Sequence, residues 1–452
     1  MQLRDIRALL LYRDTVLENT RIILMPSFVG FRVYGAAAVV ALLACGYFVV
    51  SFTFFHKKGG DDRIQVGRQL GFASALSVLG YVACLKMIPA LKGSLLKAGL
   101  GGLDIGKRGT KLGEKPVPES LGIVVGTIFL CCVCLTQVFY AQSDGERAEY
   151  NAALLSICLT LFMGFVDDVI ELKWRWRIVL PALGCLPLLC AYHGGTSITV
   201  PGFAGQLLYD SQGDSPTAMG SIVSALGVEI DAGARGGIIN LGFYYYIYMW
   251  ALCLFCTNAI NIYAGINGLE AGQSLVIGVA ILAMNLIDVL CCEEINTGDD
   301  SKQHLFSAMI ILPFIATTLG LLKFNAYPSR VFVGDSFTNF AGMTIAVVAI
   351  LGHFSKSLLL FFIPQLLNFI MSLPQLFHIV PCPRHRIPKY NPETRLLECS
   401  TVAKDDPRMN LTLLNLAIRI LGPMSEDVLC FRLLVFQAIC CAGGVAIRCA
   451  IV

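Results

Sequence analysis

The chain has 452 residues, of which 56% are hydrophobic and 14% charged, with a mean hydropathy of +0.69. Average soluble domains carry roughly 25% charged residues, so this composition excludes a water-soluble globular protein and calls for a chain threaded repeatedly through a bilayer. The net charge of +3 says little by itself, because the distribution of Lys and Arg among loops carries the orientation; no nucleic-acid partner is expected. The 18 cysteines sit mostly inside apolar runs, as Cys131, Cys132 and Cys134 do, and read as small buried hydrophobes rather than zinc ligands or a disulfide framework.

In chain order, residues 1–30 mix Arg4, Arg7, Arg13 and Arg21 with leucines and isoleucines, and 33–55 is an uncharged run long enough to span. It is too long for a cleaved signal and reads as a signal-anchor-like helix. Ten further apolar segments follow at 69–91, 121–142, 149–166, 178–195, 242–257, 270–288, 305–322, 336–353, 357–378 and 429–449. The expected fold is an all-α polytopic membrane protein: a ten-helix core, 69–452, behind an extension, 1–68, that carries one extra N-terminal helix.

Loop charge orients this core. Loops 92–119, 167–177, 323–335 and 384–427 hold about eighteen Lys and Arg, against about four in 143–149, 193–240, 288–304 and 352–356. The second set also holds Glu293, Glu294, Asp299 and Asp300. The basic set is therefore expected in the cytosol. Lys57, Lys58, Arg63 and Arg68 run against that assignment, so the extension is open to an interfacial placement as well.

Every chemically suggestive stretch lies on the basic side. DIGKRGTKLGEKPVPESLG supplies Asp104, Lys107, Lys115 and Glu119. FVDDVIELKWRWR sets Asp167 and Asp168 at a helix end with Lys173, Arg175 and Arg177 beyond; adjacent carboxylates suit a hard cation and arginines suit phosphate, although a ring of snorkelling charges looks the same in sequence. In CTNAINIYAGINGLEAGQS, Asn258 and Asn261 are three apart and share a helix face, while Gly265, Gly268 and Gly272 flank Asn267 and let the backbone approach a ligand. Interhelical amide bonds and close helix packing are the plainer alternative. FNAYPSRVFVGDSFTNFAG places Asp335 after Gly334, where it serves either as a helix cap or as a ligand. HIVPCPRHRIPKYN packs Arg384, His385 and Arg386 between prolines, as a stiff donor loop or a positive-inside stop signal.

Taken together these motifs resemble the polyprenyl-phosphate N-acetylhexosamine-1-phosphate transferases over roughly residues 69–452. NAINIYAGINGLEAGQS, PSRVFVGDSF and CPRHRIP carry it most specifically, the last two pointing to the eukaryotic branch that uses UDP-GlcNAc and dolichyl phosphate. The resemblance implies transfer of GlcNAc-1-phosphate to dolichyl phosphate with release of UMP, Mg²⁺ dependence, and an endoplasmic reticulum location with the active site toward the cytosol. It assigns Asn261 and Asp335 to Mg²⁺, Gly265, Asn267 and Phe332 to the uridine pocket, Glu119 to its edge, and Arg384, His385 and Arg386 to a loop over the GlcNAc. Asn258 joins the substrate contacts. Asp167 and Asp168 fall near the phosphates, where Arg177 replaces the family's usual lysine and Lys107 adds positive charge. Membrane lipid and a second copy of the chain are the further expected associations.

A dianionic phosphate acceptor needs little base catalysis, so charge neutralisation and positioning are the expected work of these groups. A nucleotide-sugar transporter is the rival class, but its polar residues would gather near the bilayer midplane. A transferase for a different sugar or a bacterial-type lipid carrier is the other.

Overall fold

The structure is a computed structural model that describes residues 61–107, 110, 113–139, 144–199, 217–225, 228–231, 238–291, 299–383, 385–403 and 406–451. The expected helix at 33–55 lies outside the described residues. Each of the ten core segments falls on helix, but with unequal lengths. Seven helices among the described residues are long and apolar enough to cross a membrane: α1 (Asp61–Lys97), α3 (Asp144–Ile170), α7 (Phe243–Ile262), α8 (Leu269–Cys291), α9 (Asp299–Asn325), α10 (Gly334–Leu351) and α14 (Glu426–Ile451). Helix α1 starts at Asp61, ahead of the expected boundary at residue 69.

The other three segments are shorter or interrupted. The run at 121–142 becomes the 15-residue α2 (Gly122–Thr136). The run at 178–195 divides into α4 (Trp174–Gly184) and α5 (Leu186–Ala191), and 357–378 divides into α11 (Ser355–Phe361) and α12 (Ile363–Leu376), bent by 71°. Pro187 and Pro364 sit in the first turn of the second helix of each pair, where a missing N–H costs nothing. Hydropathy registers the apolar run and not the break.

The protein is a mostly helical polytopic membrane protein, and the all-α expectation is corrected by small antiparallel sheets in its loops. Strands β1 (Gly101–Gly102) and β2 (Val117–Pro118) pair; β3 (Ser197–Thr199), β4 (Glu229–Asp231) and β5 (Ile238–Asn240) form a sheet in the order β3-β5-β4, beside α6 (Ala218–Ala225). Two hairpins, β6 (Lys389–Asn391) with β7 (Leu396–Glu398) and β8 (Thr401–Ala403) with β9 (Asp406–Met409), precede α13 (Leu413–Leu421). Two- to four-residue strands carry too few alternating positions to be read from sequence.

Helix α9 is the buried centre, packed on α1, α2 and α8; α10 packs on α3 and α7. Phe129, Phe314 and Phe340 meet there with centroids 5.1–6.4 Å apart. Within these helices the Thr257 hydroxyl donates to the Cys253 carbonyl and the Thr344 hydroxyl to that of Phe340, one turn earlier, which satisfies both groups without water. A second apolar cluster, including Tyr263, Leu397, Leu414, Leu429 and Leu433, fixes the β6–β7 hairpin and α13 onto the ends of α7 and α14.

One close approach sets up the site. A Cβ on Gly164 would stand 2.5 Å from the carbonyl oxygen of Asp335, so only glycine lets α3 touch the first turn of α10. Gly164→Ala should therefore lower the melting temperature of the detergent-purified protein and its activity, since overpacking costs about 1–3 kcal/mol. Gly145→Ala, in the same helix with nothing within 4 Å of the added carbon, is the control and should melt as wild type. Identical melting of the two variants would show that the helices can separate at no cost.

Candidate active site

The end of α3 and the start of α10 are joined by Asp168. Val333, at the N-cap of α10, has no capping side chain. Instead the Asp168 carboxylate accepts from the backbone N–H groups of Asp335 at 2.6 Å and Ser336 at 3.1 Å, capping α10 from another helix and answering its dipole. Asp335 is thereby held beside the end of α7, where Asn261 Nδ2 donates to its Oδ1 at 2.7 Å. Arg177, at the start of α4, closes the group: Nε is 3.1 Å from Asp167 Oδ2 and Nη1 is 3.2 Å from Asp335 Oδ2. Asp167 is buried, while the Arg177 side chain keeps 41% of its surface exposed and stays reachable. The guanidinium thus neutralises two carboxylates from an open side.

Next to this group lies a cavity of about 270 Å³ whose walls include Glu119, Asn261, Gly265, Asn267, Phe332 and Asp335. Backbone pairing brings distant segments there. Phe332 donates to the Pro118 carbonyl at 2.8 Å and Gly122 to that of Val333 at 2.9 Å, which sets Glu119 beside the Phe332 ring. Burial, followed by the charges of Asp335 and Glu171, holds the Glu119 carboxyl above the usual range. Gly265 and Gly268 take φ of +110° and +86°, the tight turn expected there, and the Gly265 N–H donates to Glu270 Oε1 at 3.0 Å. The proline-rich loop covers this turn: Ile387 Cγ2 stands 2.5 Å from where a Gly265 Cβ would lie, and His385 and Ile387 face the cavity. Arg384 lies outside the described residues. Arg386, expected over the sugar, is not among the residues that line the cavity; its Nη1 is buried with no hydrogen-bond partner among the described residues, and burial lowers the guanidinium pKa.

Asp168, for which positioning was expected, uses both oxygens on the backbone and so positions Asp335. Two further expectations are revised. Lys107 does not face the phosphate end; its ammonium lies between Asp104 and Glu426, 3.3 Å from the latter, with the Tyr327 ring 4.8 Å away. Asn258 donates to the Leu254 carbonyl of its own helix at 2.9 Å and is not part of the cavity wall. Residues that sequence reading passed over include Glu270, Glu426 and Asn325. Asn325 faces the cavity, donates to the Val331 carbonyl at 3.0 Å and has a buried Oδ1 without a partner among the described residues. The Glu in NGLEAG was visible as a carboxylate beside the glycines; nothing local marked Glu426.

The Asp335 carboxylate and the Asn261 amide are in contact through Asn261 Nδ2, so an amide turned about would set its oxygen beside the carboxylate as a second hard donor; no cluster of three His, Cys, Asp or Glu forms a self-contained metal cage among the described residues. Two protein donors fit Mg²⁺, which keeps water and completes its shell with substrate phosphates.

A family model described as Glycosyl transferase family 4 matches residues 150–353, which hold Asp167, Arg177, Asn261, Asn267 and Asp335. A protein of Dictyostelium discoideum named UDP-N-acetylglucosamine--dolichyl-phosphate N-acetylglucosaminephosphotransferase is 45% identical over 80% of this chain and 85% of its own length. Proteins of the same name from Schizosaccharomyces pombe and Saccharomyces cerevisiae are 37% and 34% identical, over 82% and 90% of this chain and 90% and 94% of their own lengths. The chain therefore belongs to glycosyl transferase family 4, in the branch of the dolichyl-phosphate N-acetylglucosaminephosphotransferases.

Proposed function

We propose that the chain transfers GlcNAc-1-phosphate from UDP-GlcNAc to dolichyl phosphate, giving GlcNAc-diphosphodolichol and UMP, at the endoplasmic reticulum membrane. The observation that carries this reading is the convergence of Asp167, Asp335, Asn261 and Arg177 at the mouth of a cavity lined by Asn267 and Phe332. An oxygen of the acceptor phosphate attacks the β-phosphorus of the donor, the bond from that phosphorus to the bridging oxygen breaks, and UMP leaves with that oxygen. The acceptor is already mostly a dianion at neutral pH, because its second pKa is near 6, so repulsion is the larger obstacle. Arg177, held in place by two carboxylates and still exposed, supplies positive charge on the open side. Asp335 and Asn261 would hold Mg²⁺, which when bound neutralises and orients the pyrophosphate. Phe332 and Asn267 take the uridine, and His385 and Arg386 cover the sugar.

In this reading ten helical segments cross the bilayer, the broken pairs included, and the site faces the cytosol, as the basic loops support. A second copy of the chain is the proposed assembly, with residues 1–68 outside the catalytic core.

Purified protein with UDP-GlcNAc, dolichyl phosphate and Mg²⁺ should yield a GlcNAc lipid and UMP in equal amounts. Sugar nucleotide uptake into proteoliposomes with no lipid product would instead favour a transporter. EDTA should stop turnover, and Asp335→Ala should lower it at least about a hundredfold while the protein stays monodisperse. Near-normal product formation by that variant would remove Asp335 from the metal site.

Arg177→Ala leaves two carboxylates together without their counter-charge and should lose about a hundredfold or more in turnover, while Arg177→Lys keeps the charge on one arm and should lose about tenfold. Equal losses would show that the two-armed fork is indispensable.

The sequon Asn410-Leu411-Thr412 should carry no glycan. Asn410 is 1% exposed, its amide donates to Ser400 Oγ and the Thr401 carbonyl, and its loop is assigned to the cytosol. A glycosidase-sensitive mass shift that disappears in Asn410→Gln would invert the orientation.

A further inference from the structure

Four residues around the cavity form a closed circuit. The Asn267 backbone N–H donates to Glu426 Oε1 at 2.7 Å, Glu426 Oε2 lies 3.3 Å from Lys107 Nζ, Lys107 is also bound to Asp104, and Asp104 Oδ2 accepts from Asn267 Nδ2 at 3.2 Å. The circuit ties the turn at Ile105–Lys107, the loop before α8 and the first turn of α14, three segments far apart in the chain. Lys107 is 4% exposed and Asn267 6%, so these charge-assisted bonds operate where water does not compete for them. Lys107 has no surface left with which to serve a substrate phosphate, which leaves the purpose of so elaborate a support to be found in what it holds.

We infer that Asp104 and Glu426 are positioning residues that lock the orientation of the Asn267 amide and thereby set which nucleobase the donor carries. A carboxylate only accepts hydrogen bonds, so the amide atom facing Asp104 is the nitrogen and the carbonyl Oδ1 is turned away from it. Asn267 and Asp104 both line the cavity, and with the amide nitrogen committed to Asp104 the acceptor left to Asn267 matches a base with a ring N–H between two carbonyls. Uracil has that N3–H; cytosine has a lone pair at the same position, and two acceptors face to face repel. An unlocked amide would rotate and accept either base. The inference rests on the reading of the donor as a UDP-sugar and adds to it how uridine is chosen over cytidine.

The test is calorimetric binding of UMP, CMP and N3-methyl-UMP to the full-length protein in detergent with Mg²⁺, for wild type, Asp104→Asn and Glu426→Gln. Wild type should prefer UMP over both analogues by about tenfold or more, the range expected for one unmade buried hydrogen bond. In Asp104→Asn the preference should fall toward parity, with a raised KM for UDP-GlcNAc and an unchanged KM for dolichyl phosphate. Glu426→Gln, which still accepts from the Asn267 N–H, should keep more of it. A merely structural circuit would lower the melting temperature and weaken all three nucleotides alike. If Asp104→Asn does not fold, the wild-type comparison still decides, because equal affinity for UMP and N3-methyl-UMP overturns the lock and leaves the transferase reading intact. Wild-type protein that binds none of the three overturns both.

Discussion

Two backbone N–H groups at the start of α10 and one carboxylate at the end of α3 hold the active end of this protein together. Asp168 accepts from Asp335 and Ser336, and the bond is possible only because Gly164 lets the two helices touch one turn earlier. A buried charge of this kind is costly unless fully bonded, and here both oxygens are engaged. Its consequence is that Asp335 faces Asn261 and Arg177. Asp167, one residue before Asp168, meets the other arm of the same Arg177. Two adjacent aspartates thus divide the work: Asp168 spends both oxygens on the backbone of α10, while Asp167 spends Oδ1 on the Leu172 N–H of its own loop and keeps Oδ2 for Arg177.

The same demand for satisfied polar groups explains features away from the site. Where α11 and α12 break, the Phe361 carbonyl accepts from Gln437 Nε2 at 2.7 Å, and Gln365 Nε2 bridges to Gln437 and Gln273, also at 2.7 Å. This chain of amides lets a bent segment remain among apolar helices. At the far ends of α8, α9 and α14, Asp288 pairs with Arg448 at 2.9 Å and with His304 at 3.3 Å, and His304 Nδ1 lies 3.0 Å from Asn285 Oδ1. Charged side chains within these apolar helices occur in bonded sets, as hydrocarbon requires.

How much of this was legible in the sequence depends on range. Helix positions were, because length and hydropathy are local, and loop charge sorted the site loops to one end. The breaks at Cys185 and Phe362 were not, since an apolar run reads the same whether or not it bends, although Pro187 and Pro364 were visible. Asn261 and Asp335 were legible as ligand types, and the structure puts them in contact. Lys107 was expected to add positive charge near the phosphates, whereas the structure pairs it with Asp104 and with Glu426, which opens the last helix and is remote in sequence. Asn258 was expected among the substrate contacts and on one helix face with Asn261, but its side chain bonds to a carbonyl of its own helix.

The central claim is that Asp168 builds the site by capping α10 without touching substrate. The melting temperature of Asp168→Ala, which removes both acceptor oxygens, measured without nucleotide or lipid, tests it most directly. Loss of a cap costs about 0.5–2 kcal/mol, so the account predicts a drop of a few degrees together with the loss of turnover. An unchanged or raised melting temperature with activity abolished would contradict it and return Asp168 to the reacting groups.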